Sequence, residues 1–406
     1  MSRIKKLDNL FVKTKSESVQ TISNFISTSN ISATTITTTS LYSDKNLIIN
    51  TGNDSILTDS TLSANSFITP FQLNTFPQET VDATTLSKVS GDYEGGVLLG
   101  PGGKIYCIPR TNNDFLVINP FTYETSNIYF NFPIGNNFNG GVMAPNGKIY
   151  CVPFDSNVIG VLNTLNNQFT TIPVQSGTAK YIGGVMAMNN KIYCMPFEAN
   201  QVLVIDTNTD TVSYIGSLAS LGSGKYKCGV LGTNNKIYGI PYNSDYLLII
   251  DANNDTVTTI FDANLVGTST WQGGALAQNG FIYGIPYDSD FILKIDTTAN
   301  TTTLIASGVV GGVQKWRGGT LGPNGIIYGI PFQETRVLKI NPITDAVSLI
   351  SITPTPTVTQ KWQGGVLTPN GKIFGIPSSD INKVLIINTG LPSLQNWILQ
   401  SYFNKY

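Results

Sequence analysis

Seven aromatic residues occupy one recurring position, two residues ahead of a pair of small residues: Tyr93, Phe138, Tyr181, Tyr226, Trp271, Trp316 and Trp362. Aromatic faces stack on sugar rings and attract cations, and tryptophan offers the largest face. Trp271, Trp316 and Trp362 are therefore the strongest candidates for a ligand platform. The same recurrence fits another role, a wedge packed in the core between repeating units. An aromatic in all seven copies is more than one ligand needs, which favours the wedge.

A second set follows a recurring proline. It reads Phe154-Asp155-Ser156, Phe197-Glu198-Ala199, Tyr242-Asn243-Ser244, Tyr287-Asp288-Ser289 and Phe332-Gln333-Glu334. An aromatic body beside a carboxylate or carboxamide suits carbohydrate, and it also suits ordinary loop packing. Lys180, Lys225, Lys315 and Lys361 stand three residues before the small pair, and Lys227 and Arg317 stand one before it. If these cations share a face, they favour an acidic glycan or a phosphate; as separate solvated side chains they favour nothing.

Other chemistries are poorly served. The chain has no histidine, which removes the commonest general base and metal ligand. Cys107, Cys151 and Cys194 share one repeat position, filled elsewhere by Gly239, Gly284, Gly329 and Gly375, and Cys228 stands in for a motif glycine. Small-residue packing explains all four, and no zinc spacing is present. No catalytic residue, metal or cofactor is expected. A net charge of −1 gives no reason to expect nucleic acid as a partner. No stretch approaches the length of a membrane-spanning helix, and 1–20 lacks the apolar core of a secretory signal.

The elements that must position these residues come from a repeat. The pattern G-G-V-L-x-x-N-G-K-I-Y-x-I-P, then V-L-x-I-D, then T-x-T-x-x-I, occurs seven times. The copies start at Gly95, Gly140, Gly183, Cys228, Gly273, Gly318 and Gly364, spaced by 45, 43, 45, 45, 45 and 46 residues. A period near 45 with four short strands is that of propeller blades. Strand A carries G-G-V-L, with glycine permitting close approach of the next blade. Asn146-Gly147, Asn189-Asn190, Asn279-Gly280, Asn324-Gly325 and Asn370-Gly371 make the A–B turns, being pairs that tolerate positive φ. Strand B is K-I-Y-x-I-P, and C and D follow, as in Val202–Asp206 and Thr256–Ile260. The seventh copy lacks a clear strand D. Asp82–Val89 (DATTLSKV) is the preferred substitute, closing the ring from the N-terminal side, with Ser393–Trp397 as the rival. The expected fold is all-β, a seven-bladed β-propeller over 81–390.

Outside the propeller, 1–20 reads as an anchor or flexible start, 21–80 as a Ser/Thr-rich fibre-like stalk or linker, and 391–406 as a short helix or tail. About two-fifths of 21–69 is Ser or Thr, with isolated apolar residues such as Ile22, Ile26, Ile31, Ile36 and Leu41. So thin a set is buried if three chains wind together, so a homotrimer through 21–69 is expected. A low-complexity linker is the other reading.

The runs ISATTITTTSLY and NLIINTGNDSILTDSTL resemble the shafts of phage and virus fibres. The blades resemble a family of repeats of the form GGVLAPNGKIYGIP…VLxID, and their rhythm is related to that of propellers similar to streptogramin lyase. The lyase resemblance implies a histidine base, which this chain lacks. The fibre resemblance implies a virion protein made in a host cytoplasm and displayed on the virion surface. In such a protein the N-terminus holds other virion proteins and the head binds a host-surface glycan or protein. The alternative is an intracellular scaffold in the cytoplasm, and the third is a lyase-like enzyme. D–A and B–C loops share one face of such a propeller, and variable loops carry recognition. The ligand is therefore expected near blades five to seven, on Trp271, Trp316, Trp362, Tyr287, Asp288, Phe332, Gln333, Lys315 and Lys361.

Overall fold

The computed structural model describes residues 79–390, apart from 86–91, 100–102, 134, 136, 268–269, 354–355, 379–380 and 382, and also the strands β1 (Leu10–Lys13), β2 (Val19–Ile22) and β3 (Leu41–Ser43). The chain divides into two units, Met1–Phe76 and Pro77–Tyr406. In the first, β1 is central in a three-stranded antiparallel sheet of order β2-β1-β3. Most of the expected stalk at 21–69, and the expected tail at 391–406, lie outside the described residues.

The second unit is a seven-bladed β-propeller of four-stranded antiparallel sheets. Blade 3 is typical: A is Tyr181–Met186, B Lys191–Pro196, C Val202–Asp206 and D Thr211–Ile215. Strands B and C are buried almost throughout because they face neighbouring blades on both sides. Strand D is outermost and half solvated, which is why its pattern is Thr-rich.

Blade 7 is completed from the N-terminal side. β4 (Thr80–Thr85) pairs antiparallel with strand C (Lys383–Asn388), from Asn388 opposite Thr80 to Lys383 opposite Thr85. The strand starts two residues earlier than the sequence suggested. Val81 is thereby buried against Ile387 and Trp362, and Glu79 reaches Tyr328 and Lys339 at 2.5 Å each.

The asparagines of the A–B turns do more than turn. Asn189 donates to Tyr193 Oη at 2.8 Å and to the Ala252 carbonyl of the next blade at 2.6 Å. Tyr193 and Lys191 both bond Asp255 of that blade, which holds positive φ in its C–D turn. The set recurs as Asn146, Tyr150, Lys148 and Asp210. Burial pushes the Asp210 carboxyl up, but hydrogen bonds from Lys148 and Tyr150 hold it below the usual carboxylate range. Side chains on this end of the ring thus tie blade to blade.

Candidate functional site

The seven aromatics ahead of the small pair are core. Trp271, Trp316 and Trp362 are fully buried. Their indole Nε1 groups donate to the carbonyls of Phe291, Arg336 and Lys383, at the start of strand C in their own blades, at 2.7–2.8 Å. A buried indole keeps its N–H paired in this way. These tryptophans offer no platform to a ligand, and the wedge reading holds.

The lysines three before the pair are also interior, against the expectation of a positive surface. Lys180, Lys225, Lys315 and Lys361 are each at most 5% exposed. Each ammonium caps backbone carbonyls of the preceding blade's B–C loop: Ser156, Phe197 with Glu198, Asp288, and Gln333 respectively. Lys315 and Lys361 add carbonyls of their own D–A loops, Gly311, Gly312, Val358 and Thr359. Three donors on a flexible stem can satisfy several carbonyls at once. Burial lowers the pKa of Lys180, Lys225 and Lys361. Backbone bonds complete the latch, as where Lys361 N donates to the Phe332 carbonyl and Ser378 N to the Lys361 carbonyl, both at 3.0 Å. Replacing Lys361 by Met is expected to cost about 2–3 kcal/mol, because buried carbonyls lose their donors. A calorimetric melt unchanged from wild type would show that the latch carries no load.

Asp288 and Gln333 are loop staples. Asp288 Oδ1 accepts from Gln314 N at 2.6 Å, and Gln333 Nε2 donates to Gln314 Oε1 at 3.1 Å. Tyr287 and Phe332 are buried but belong to a larger feature. Phe154, Phe197, Tyr242, Tyr287 and Phe332 form an unbroken crescent over blades 2 to 6, with successive centroids 5.8–6.5 Å apart. Blades 1 and 7 place Arg110 and Ser378 there instead.

The crescent surrounds a ring that the aromatic pattern conceals. Side chains alternate along a strand. With the −2 aromatic turned into the blade, the residue one before the small pair turns to the axis. The seven are Glu94, Asn139, Ile182, Lys227, Gln272, Arg317 and Gln363. The axial cavity is lined from all seven blades, with Glu94, Asn139, Gln272, Arg317 and Gln363 among its walls. The cavity has a volume of about 20 Å³, room for a small polar group and not for a sugar ring.

Lys227 and Arg317 lie across the crescent. Lys227 Nζ is 3.5 Å from the centroid of Tyr242, and Arg317 Cζ is 3.9 Å from that of Phe332. Arg317 donates from Nη2 to Tyr287 Oη at 3.2 Å and from Nη1 to Gln363. Glu94 faces it at 3.8 Å and pairs with Arg110 at 3.4 Å. Burial, reinforced by the adjacent Arg317 charge, lowers the pKa of Lys227 to about 7. Sequence reasoning noticed Lys227 and Arg317 but grouped them with the buried lysines. The signal it passed over is that this position changes chemistry from copy to copy, while the positions on either side do not.

Fold and site together define a β-propeller with a chemically varied ring at its axis. No family model matches the sequence, and no curated protein matches it. Among solved structures, virginiamycin B lyase from Staphylococcus aureus is similar over 77% of this chain and 99% of its own, with 12% identity and a TM-score of 0.65. A streptogramin B lyase is similar over 76% and 97%, with 14% identity and a TM-score of 0.65. The WD40 repeats of RRP9 are similar over 76% and 97%, with 11% identity and a TM-score of 0.58. Identities this low show a shared fold and nothing about activity. Among the described residues, no helix is long and apolar enough to cross a membrane.

Proposed function

We propose that the chain is a receptor-binding appendage protein of a virus or phage. Its Ser/Thr-rich segment is a trimeric stalk, and its propeller is a head that engages a host-surface glycan through the D–A/B–C face. One observation carries the choice of face: a position that changes chemistry from repeat to repeat, between two positions that hardly change, is gathered at the axis of that end. The opposite end is occupied by the Asn–Tyr–Asp ties between blades. The absence of histidine and the narrow axis favour binding over catalysis. The second reading, a scaffold for protein partners, draws on exposed Leu165 and Ile343 on C–D turns of the opposite end.

A glycan array probed with the labelled full chain tests the choice. Arg317→Gln is expected to lower binding at least about tenfold, an effect of the size seen when a charged hydrogen bond is removed. Met188→Ser, at an exposed A–B turn, should leave it unchanged. Glycan binding that survives Arg317→Gln and is lost in Met188→Ser would overturn the assignment of the face. An array without any bound glycan would overturn the glycan itself.

A further inference from the structure

The axial ring has an unbalanced set of partners. Arg317 directs its two terminal nitrogens to Gln363 and Tyr287, yet its Nε has no hydrogen-bond partner. Gln272 is 6% exposed and its Oε1 is likewise unpartnered. Both side chains line the axial cavity. Buried polar groups left unpaired are costly, so a donor and an acceptor orphaned at one cavity point to something that fits between them. The charges are unbalanced too. Lys227 rests on the faces of Tyr242, Tyr287 and Phe197, and among the described residues it has no ion pair. The carboxylate facing Arg317, that of Glu94, is shared with Arg110.

We propose that the axial entrance walled by Gln272 and Arg317, with Lys227 beside Arg317 on the Tyr287 ring, binds the carboxylate of a hydroxy acid, such as a uronic acid, presented by a ligand lying across the ring entrance. The anion accepts from Arg317 Nε and neutralises Lys227. A neighbouring hydroxyl donates to Gln272 Oε1. The cavity is wide enough for that head alone, so the rest of the ligand stays over the crescent. The inference names the chemistry of the glycan proposed above, but the site stands on its own geometry.

Protonation supplies a signature. The charged and titratable groups around Lys227 are Arg317, Glu94, Asp288, Cys228, Tyr242 and Tyr287. With its pKa near 7, Lys227 is largely neutral in the free protein above that pH. A bound anion favours the ammonium, so binding takes up a proton in this range. Affinity is then level below about pH 6 and falls as pH rises beyond 7.

Isothermal titration of the full chain with glucuronate, acetate and glucose, at pH 6 and pH 9, tests the site. Glucuronate is expected to bind at least about tenfold more tightly at pH 6 than at pH 9, and a further titration near pH 8 should show proton uptake in buffers of different ionisation enthalpy. Glucose should not bind measurably. Lys227→Gln should abolish the pH dependence, and Gln272→Glu, which leaves both cations in place, should weaken binding at least about tenfold through repulsion. Acetate equal to glucuronate keeps the carboxylate site and removes the sugar. No heat from either acid up to about 50 mM at pH 6, a range that covers millimolar affinity, or binding unaltered in both variants, overturns the proposal. Titration that succeeds while the glycan array stays blank removes the host-receptor reading and leaves this site standing.

Discussion

A chain beginning at Gly91 is expected to melt at least about 10 °C below one beginning at Thr75, on the order of 5 kcal/mol for a protein of this size. The shorter chain loses β4, and with it the outer strand of blade 7. The carbonyls and amides of Lys383–Asn388 that face β4 along six paired positions become an open edge. Val81, buried against Trp362 and Ile387, is gone. So is Glu79, whose carboxylate takes from Tyr328 and Lys339 the bonds that Asp345 takes from Tyr283 and Lys294 one blade earlier. Blade 6 therefore loses the carboxylate of its tie to blade 7 in the same cut, although Asn324 still donates to the Thr389 carbonyl and the Lys361 latch remains. Thr353 N also loses its acceptor, the Val81 carbonyl. Equal melting temperatures for the two chains would mean that blade 7 is held by something other than β4.

Most of the fold was legible because a propeller is written in repeats. The period gave the number of blades, and the shortfall in the seventh copy located the start of the closing strand to within two residues, while its expected end at Val89 lies past the observed end at Thr85. Site assignment failed where one rule was applied to some positions and not to others. Recurrence in every copy marked the aromatics as structural, and the structure agrees. The same logic applied to lysine, which recurs at one position in four copies, would have marked Lys180, Lys225, Lys315 and Lys361 as structural too. Charge suggested surface instead, and the latch to carbonyls one blade away cannot be seen in a linear sequence. Glu79 lay hidden for a similar reason: it replaces an aspartate of the C–D turn from the far side of the chain. The complement of the rule finds the axial ring. Between an aromatic and a small residue that hardly vary stand Glu94, Asn139, Ile182, Lys227, Gln272, Arg317 and Gln363, and a position free to vary inside a rigid frame is where recognition is placed.

The close approach of the innermost strands gives the second large effect. Gly273 has φ +74°, and a Cβ built on it would lie 2.5 Å from Gly318 Cα and 3.0 Å from Gly318 N. Those are backbone atoms of the next blade's strand A, held by its own ladder, and they cannot swing aside as a side chain would. Gly273→Ala is expected to cost about 3–5 kcal/mol, combining the left-handed backbone with overpacking. Gly280 separates the two contributions. It has φ +85° in an A–B turn, and a Cβ there meets nothing within 4 Å. Gly280→Ala should therefore cost only about 1 kcal/mol, the backbone contribution alone. Cys228 shows what the ring tolerates. It occupies the equivalent position in blade 4 at φ +74°, and its sulfur takes a backbone hydrogen bond from Gly273. Gly273→Ala keeps that N–H, so its expected cost comes from the Gly318 backbone and the left-handed conformation. Denaturant melts that place Gly273→Ala and Gly280→Ala at the same stability would show that the blades do not meet at their glycines, and the axial ring would lose the rigid frame on which its geometry depends.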